Sequence, residues 1–285
     1  MGGMPSRTDL EEKRDSLVVL DFDGVIADSI HDSWMTAVNA FTEMFPDHGL
    51  PVDGPVPPDG VFEFERRHPE LFSDFRRLIP LGNKAADYLA MMRLIARREA
   101  DGIKDQKDFD AEQARLPLEL RERFGALFYE QRIQLQDADP ESWAGLIPAF
   151  PGLPEAVREL DKRFRLAIAT SKDRRSVDVL LYRYGLAGYF SPELILDKAF
   201  SYSKRLHLIQ LSKSTSVPFD RIRFVDDKTM HLVQVKDLGV QAYLALWGFN
   251  TDRERALAQK EGFTLLSLEG LKHLGEPPTI KQPPS

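Results

Sequence analysis

Asp21 and Asp23 stand two positions apart where an apolar run ends, in "SLVVLDFDGVIADSI" (Ser16 to Ile30). Gly24 follows, and glycine permits a tight turn and close approach of a ligand. A lone Asp-x-Asp-Gly also fits a plain surface turn, because both residue types favour turns. Other apolar runs of the chain end in polar groups too. "RLAIATSK" ends in the hydroxyls of Thr170 and Ser171, and "FVDDK" ends in a second carboxylate pair, Asp226 and Asp227. Lys204 opens a helical pattern about eight residues past the apolar "LIL" of Leu194 to Leu196. Four carboxylates brought to one place repel one another unless a cation sits among them. An all-oxygen set suits Mg²⁺, which keeps several waters and takes a few carboxylates plus substrate phosphate. The lysine and the hydroxyls are then natural donors to phosphate oxygens.

The elements that would bring these groups together are legible from about Phe150 onward. "RLAIAT" (165–170), "LIL" (194–196), "IRFV" (222–225) and "AYLAL" (242–246) lack polar alternation, which predicts strands buried on both faces of a parallel sheet. Helical patterns lie between them: one from Glu155, one over 173–184 ending near Gly185, and others near 205–212 and 231–238. This βαβ alternation predicts a doubly wound α/β domain, whose ligands bind beyond the carboxyl ends of the strands. Residues 29–148 differ: they are rich in helix formers with no clear buried strand, broken by the loop "LPVDGPVPPDG". The expected organisation is an N-terminal tail (1–15), an α/β core (16–28 and 149–275), a helical insert (29–148) and a C-terminal tail (276–285).

The chain has 285 residues, a net charge of −7 and no cysteine. The acidic balance argues against duplex nucleic acid or an anionic membrane as partner. The absence of cysteine excludes disulfides, thiolate catalysis and cysteine-bound zinc. No segment approaches the roughly 20 apolar residues of a membrane span, and the polar N-terminus lacks a signal-peptide pattern. The expectation is a cytoplasmic protein of open oligomeric state.

"DFDGVIADS", "PGLPEAVREL", "IATSK" and "GVQAYLALWGFNTDRERALAQKEGF" together closely resemble the haloacid dehalogenase superfamily. The likeness is to its phosphoglycolate-phosphatase-like members, which carry a helical cap after the first motif, and it spans Ser16 to about Leu274. The resemblance implies a Rossmann-like core and a Mg²⁺-dependent phosphatase of a small phosphorylated metabolite. It makes Asp21 the nucleophile, through an aspartyl-phosphate, and Asp23 the general acid and then base. Asp21, the backbone carbonyl of Asp23 and Asp227 would hold Mg²⁺, with Asp226 supplying a further carboxylate. Thr170 and Lys204 would hold the phosphoryl group, with Ser171 and the Gly24 turn beside them. The third motif departs from the family's frequent lysine–proline, so Lys198 rivals Lys204; spacing to Asp227 favours Lys204. Where many members carry an aspartate four residues past the Asp227 position, this chain has His231, read here as a helix-face residue.

Related chemistries on the same residues are a phosphotransferase or mutase, and a phosphonate hydrolase using a cap lysine (Lys84, Lys104 or Lys107). Dehalogenation is disfavoured because dehalogenases keep no acid at the Asp23 position. A non-catalytic binding module is a different class, disfavoured because the nucleophile and the metal carboxylates are all present. Arg76, Arg77, Asn83 and Lys84 are the insert residues that could reach a substrate anion.

Overall fold

The computed structural model describes residues 15–82 and 84–275. The expected tails fall outside these residues, except Asp15, whose carboxylate pairs with Arg221 at 3.1 Å. Six parallel strands form one sheet in the order β3-β2-β1-β4-β5-β6. They are β1 (Leu17–Leu20), β2 (Arg165–Ala169), β3 (Ile195–Leu196), β4 (Ile222–Asp226), β5 (Gln241–Ala245) and β6 (Thr264–Leu266). All four residues of β1 are fully buried, as expected for a central strand of branched and aliphatic residues. β6 was not read from the sequence: its three residues lie at the sheet edge and carry too short a pattern to stand out.

β1 sits between β2 and β4, with Leu20 beside Ile168 and Val225. That register fixes the site before any side chain is considered. Asp21, Thr170 and Asp226 emerge side by side at the carboxyl ends of three adjacent strands, where the strand order reverses direction.

Between β1 and β2 the named elements are all helical. α1 (Ile30–Met44), α2 (Val61–Arg67), α3 (Pro69–Leu78), α4 (Tyr88–Ala96), α5 (Gln106–Ala114), α6 (Leu118–Ala138) and α7 (Pro140–Gly145) follow in turn. Trp34 on α1 packs against Phe64, Phe72 and Phe75, and Tyr88 packs on Phe128. These aromatics join Val18, Leu20 and Phe22 in one apolar cluster, so the insert and one face of the sheet share a core. The opposite face, with Leu17, Val19 and Phe224, is covered by the core helices that carry Leu208 and Leu232.

Two connecting segments join the insert to the sheet, and they pair with each other. Asp28 N–H donates to Pro148 O at 2.8 Å and Phe150 N–H donates to Ile26 O at 3.2 Å. Six further helices complete the core: α8 (Leu153–Asp161), α9 (Arg174–Arg183), α10 (Lys204–Thr215), α11 (Thr229–Val235), α12 (Asp252–Lys260) and α13 (Leu268–Lys272). No helix among the described residues is long and apolar enough to cross a membrane.

α10 carries a buried histidine, His207, one turn beyond Lys204. Burial, and then the nearby Lys204 ammonium, push its pKa down to about 4. The unfolded chain binds a proton at His207 below its ordinary 6.5 and the folded protein does not, so this group's contribution to stability is complete above about 6.5 and is lost as pH falls towards 4. His207→Leu should therefore flatten the loss of stability between pH 6.5 and 4, measured by denaturant unfolding of both proteins across that range. An unchanged slope would mean that His207 is not neutral in the fold.

Candidate active site

Ser203 caps α10 by accepting from the Leu206 N–H, which fixes Lys204 as the first residue of the helix. Its side chain runs under the sheet edge. Lys204 Nζ lies 2.7 Å from Asp21 Oδ1 and 3.3 Å from Asp226 Oδ2, and donates to Ala169 O at 2.6 Å. Burial alone would discharge this ammonium, but Asp21 and Asp226 raise its pKa. Lys198, the rival, is elsewhere: its Nζ stands 3.5 Å from the centre of the Tyr129 ring.

Asp21 accepts from the Phe22 N–H at 2.6 Å. Burial pushes its pKa up to about 7, with Asp226 pushing the same way and Lys204 opposing. Asp23 behaves differently. Burial again favours the neutral acid, but Lys172 and Arg132, with a hydrogen bond from Ser29, outweigh it and hold the pKa below the ordinary value. Lys172 Nζ sits 3.1 Å from Asp23 Oδ1. Two carboxylates two residues apart thus have opposite tendencies without a cation, Asp21 towards the neutral acid and Asp23 towards the carboxylate, and a cation beside Asp21 would favour its ionised form.

Asp226 is fully engaged by protein. His231 Nδ1 lies 2.9 and 3.0 Å from its two oxygens, the Lys228 N–H donates to Oδ1 at 2.9 Å, and Lys204 takes the other side. Burial opposes its ionisation, but the His231 hydrogen bonds and the Lys204 ammonium hold it ionised; burial pushes His231 itself below its ordinary pKa, so it serves as a hydrogen-bond donor. His231 is therefore not a helix-face residue: it is buried at 4% exposure, lines the cavity and orients Asp226.

Asp227 is the reverse case. Its Oδ2 accepts from the Phe249 N–H at 2.8 Å, while its buried Oδ1 has no hydrogen-bond partner. Burial and the neighbouring Asp226 raise its pKa well above the ordinary carboxylate value. An unpartnered buried carboxylate oxygen, beside a second carboxyl that is also pushed towards neutrality, is what a divalent cation would correct. The donor set is compatible with Mg²⁺: oxygens of Asp21 and Asp227, with the Asp23 carbonyl in the same turn. Ligand atoms of Asp21, Asp226 and His231 also gather within 4.8 Å of one another. Lys204 already stands between Asp21 and Asp226, however, so that group is compensated without a metal, and Asp227 is the better-suited ligand.

Gly24 has φ +82°, and a Cβ there would fall 2.2 Å from Asp227 Oδ2. The sequence suggested room for a ligand; the structure shows that the room is taken by a carboxylate. Thr170 Oγ1 accepts from the Lys172 N–H at 3.0 Å, and the buried Ser171 hydroxyl has no partner. Both line the cavity above Asp21.

The insert closes that cavity with Ser33, Ile79, Lys84, Tyr88, Phe128 and Arg132. Arg132 is buried, pairs with Asp32 at 2.5 Å and stacks over Phe128. Lys84 stands 5.1 Å above the Tyr202 ring. Arg76 and Arg77 do not reach this cavity. They line a neighbouring cleft between α3 and residues 248–251, and Arg77 is held by Asp74 and Asp101. Asn83 lies outside the described residues. Sequence reading missed Arg132 and Lys172. Lys172 closes the quoted "IATSK", so its place beyond a strand end was a usable signal. Arg132 sits within α6 among glutamines and apolar residues, and nothing local distinguishes it.

A family model described as haloacid dehalogenase-like hydrolase matches residues 16–204. A phosphoglycolate phosphatase of Synechococcus elongatus is 30% identical over 132 residues, which are 45% of this chain and 58% of that relative. The chain thus matches little more than half the length of this curated relative. Among solved structures, a protein from Lactobacillus delbrueckii subsp. bulgaricus gives a TM-score of 0.62 at 17% identity, covering 93% of this chain and 100% of the other. A haloacid dehalogenase-like family protein from Streptococcus pneumoniae gives 0.56 at 16% identity, covering 92% and 97%. These two likenesses speak for the fold, whereas the family match takes in Asp21, Asp23, Thr170 and Lys204 and covers well over half of the sequence. The chain belongs to the haloacid dehalogenase-like hydrolase family.

Proposed function

We propose that this hydrolase is a Mg²⁺-dependent phosphatase of a small phosphate ester, working through an aspartyl-phosphate on Asp21. The observation that carries the reading is the contrast between Asp226, wholly compensated by protein, and Asp227, left with a buried oxygen that a cation would satisfy. The cation, when bound, supplies charge neutralisation for the meeting of two anions. Everything else falls to the chain's own residues. Lys204 holds Asp21 in line and faces the charge that develops on the transferring group. Thr170 and Ser171 offer hydroxyls, and Lys172 keeps Asp23 close to the leaving oxygen. Asp23 is ionised in the free protein; an arriving phosphate dianion would compete for Lys172 and raise the Asp23 pKa, preparing it to protonate the leaving group. The same carboxylate then accepts the proton of the water that attacks the aspartyl-phosphate.

The substrate side of the cavity is polar and cationic, with Arg132, Lys84 and Tyr88 facing the catalytic pair. This favours a small leaving group that itself carries an anion, as in the phosphoglycolate named for the cyanobacterial relative. A second reading has one specific observation behind it. Lys84 lines the cavity, which supports cleavage of a carbonyl phosphonate through a lysine Schiff base as the alternative. Borohydride trapping of an adduct on Lys84 would establish it, and no adduct would leave the phosphatase reading alone.

Asp21→Asn keeps the shape and removes the nucleophile, so kcat should fall on the order of 10⁴-fold or more. Turnover of p-nitrophenyl phosphate by the purified variant at near wild-type rate would end the covalent mechanism. Asp227→Ala should weaken Mg²⁺ binding, read by calorimetry, roughly tenfold more than Asp226→Ala; the opposite order would put the cation on Asp226. Arg132→Lys keeps the charge that Asp32 needs and loses the planar fork. It should raise KM for phosphoglycolate roughly tenfold and leave kcat/KM for p-nitrophenyl phosphate within about threefold. Equal losses on both would remove Arg132 from substrate selection.

A further inference from the structure

The loop between β5 and α12, residues Trp247 to Asn250, touches three parts of the molecule at once. Its first contact is with the connecting segments: Trp247 Nε1–H donates to Val25 O at 2.9 Å, and the Phe249 ring lies 6.3 Å from the Phe150 ring. Its second is with Asp227: the Phe249 N–H donates to Oδ2, and Asn250 Nδ2 lies 3.4 Å from Asp227 O while donating to Ala245 O at 2.8 Å. Its third is with the insert, since Phe249 and Ile79 line both the catalytic cavity and the neighbouring cleft.

The packing between these parts leaves no slack. A Cβ on Gly248 would lie 2.2 Å from Gly24 O and 2.4 Å from Asp227 Cβ, and one on Gly24 would lie 2.2 Å from Asp227 Oδ2. The backbones of Gly24 and Gly248 therefore clamp Asp227 from two sides. Gly24 is also where the first connecting segment leaves the sheet. Close-packed groups of this kind move together or not at all. Displacing the segment at Gly24 and Val25 must shift the Asp227 carboxylate or break the Trp247 bond.

We propose that Trp247 and Phe249 are positioning residues that couple the connecting segments to Asp227, so that cation binding at Asp227 and seating of the helical insert strengthen each other. The inference rests on the reading of Asp227 as a Mg²⁺ ligand. A cation held by Asp227 fixes the carboxylate that accepts from the Phe249 N–H and that Gly24 and Gly248 clamp, and so orders the loop. The ordered loop holds Val25 through the indole and Phe150 through the ring, and these residues flank the paired amides of Asp28 and Phe150. The coupling is reciprocal: the factor by which the cation stabilises the paired segments equals the factor by which pairing tightens cation binding. A substrate entering under the seated insert would thus meet a completed cation site, and an open insert would hold the cation weakly.

The test uses the full chain, Mg²⁺ alone and no substrate. Hydrogen exchange of the Asp28 and Phe150 amides is followed with and without saturating Mg²⁺, and Mg²⁺ affinity is measured by calorimetry. In the wild type, Mg²⁺ should slow both amides by about threefold to tenfold, a coupling of ordinary size. Trp247→Phe keeps the aromatic packing and removes the donor to Val25. It should abolish most of that slowing and weaken Mg²⁺ binding by a similar factor. Phe249→Leu, which keeps the backbone donor and an apolar side chain, should lose part of both and serves as well if Trp247→Phe does not fold. Mg²⁺ binding to the wild type with no change in these amides overturns the coupling while leaving the phosphatase reading intact. So does full protection in both variants. An absence of Mg²⁺ binding in the wild type overturns the metal reading and the coupling together.

Discussion

The buried ammonium of Lys204 is the interaction on which the site depends. Three carboxyl groups, Asp21, Asp226 and Asp227, stand within a region of the fold that solvent barely reaches. Without compensation their burial would be costly enough to neutralise them or to disrupt the strand ends. Lys204 satisfies two of the three and spends its remaining donor on Ala169 O, so it ties together the ends of β1, β2 and β4. His231 completes the compensation at Asp226. What remains is a deficit of positive charge at Asp227, and the chemistry proposed here grows from that deficit.

The second carboxylate pairing follows the same logic with another lysine. Asp23 leans on Lys172, three positions past the end of β2, and feels Arg132 from the insert. Asp21 and Asp23 are two residues apart and differ in their inclination to hold a proton because their compensating cations differ in number and distance. Arg132 reaches the catalytic cavity from α6 while its own charge is met by Asp32 on α1. The insert thus contributes a cation to the site without adding an unpaired charge to its core. Under the proposed function, that arrangement would leave selection of the leaving group to the insert and handling of the phosphoryl group to the sheet.

Lys228 bonds the backbone carbonyl of Gly82, and Arg253 donates to Arg77 O at 3.1 Å, so core and insert are also stitched outside the cavity. Gln136 on α6 donates to Ser176 on α9 at 2.7 Å. These are single polar contacts at the edges of a shared apolar core. They fix orientation more than they add stability, because a typical hydrogen bond nets only about 0.5–1.5 kcal/mol.

The strands and the residues at their ends were legible in the sequence, because burial on both faces leaves an unbroken apolar run and the polar residue that ends it marks the sheet edge. Asp21, Thr170 and Asp226 follow from that reading. β6 was too short to carry the pattern. Spacing to Asp227 already favoured Lys204 over Lys198, and the Ser203 cap and the strand register bring Lys204 to Asp21; Lys172 was missed. The insert's contribution was less legible still. Arg76 and Arg77 were among the insert residues that could reach an anion, yet they line another cleft, while Arg132 enters from α6. His231 was read as a helix-face residue because Asp226 already offered the carboxylate expected near that position, and the tertiary fold buries it against Asp226. Local sequence records which residues prefer burial and which helices can form; it does not record which face of one helix meets which end of another strand, and that is set only when the insert and the sheet close over a common core.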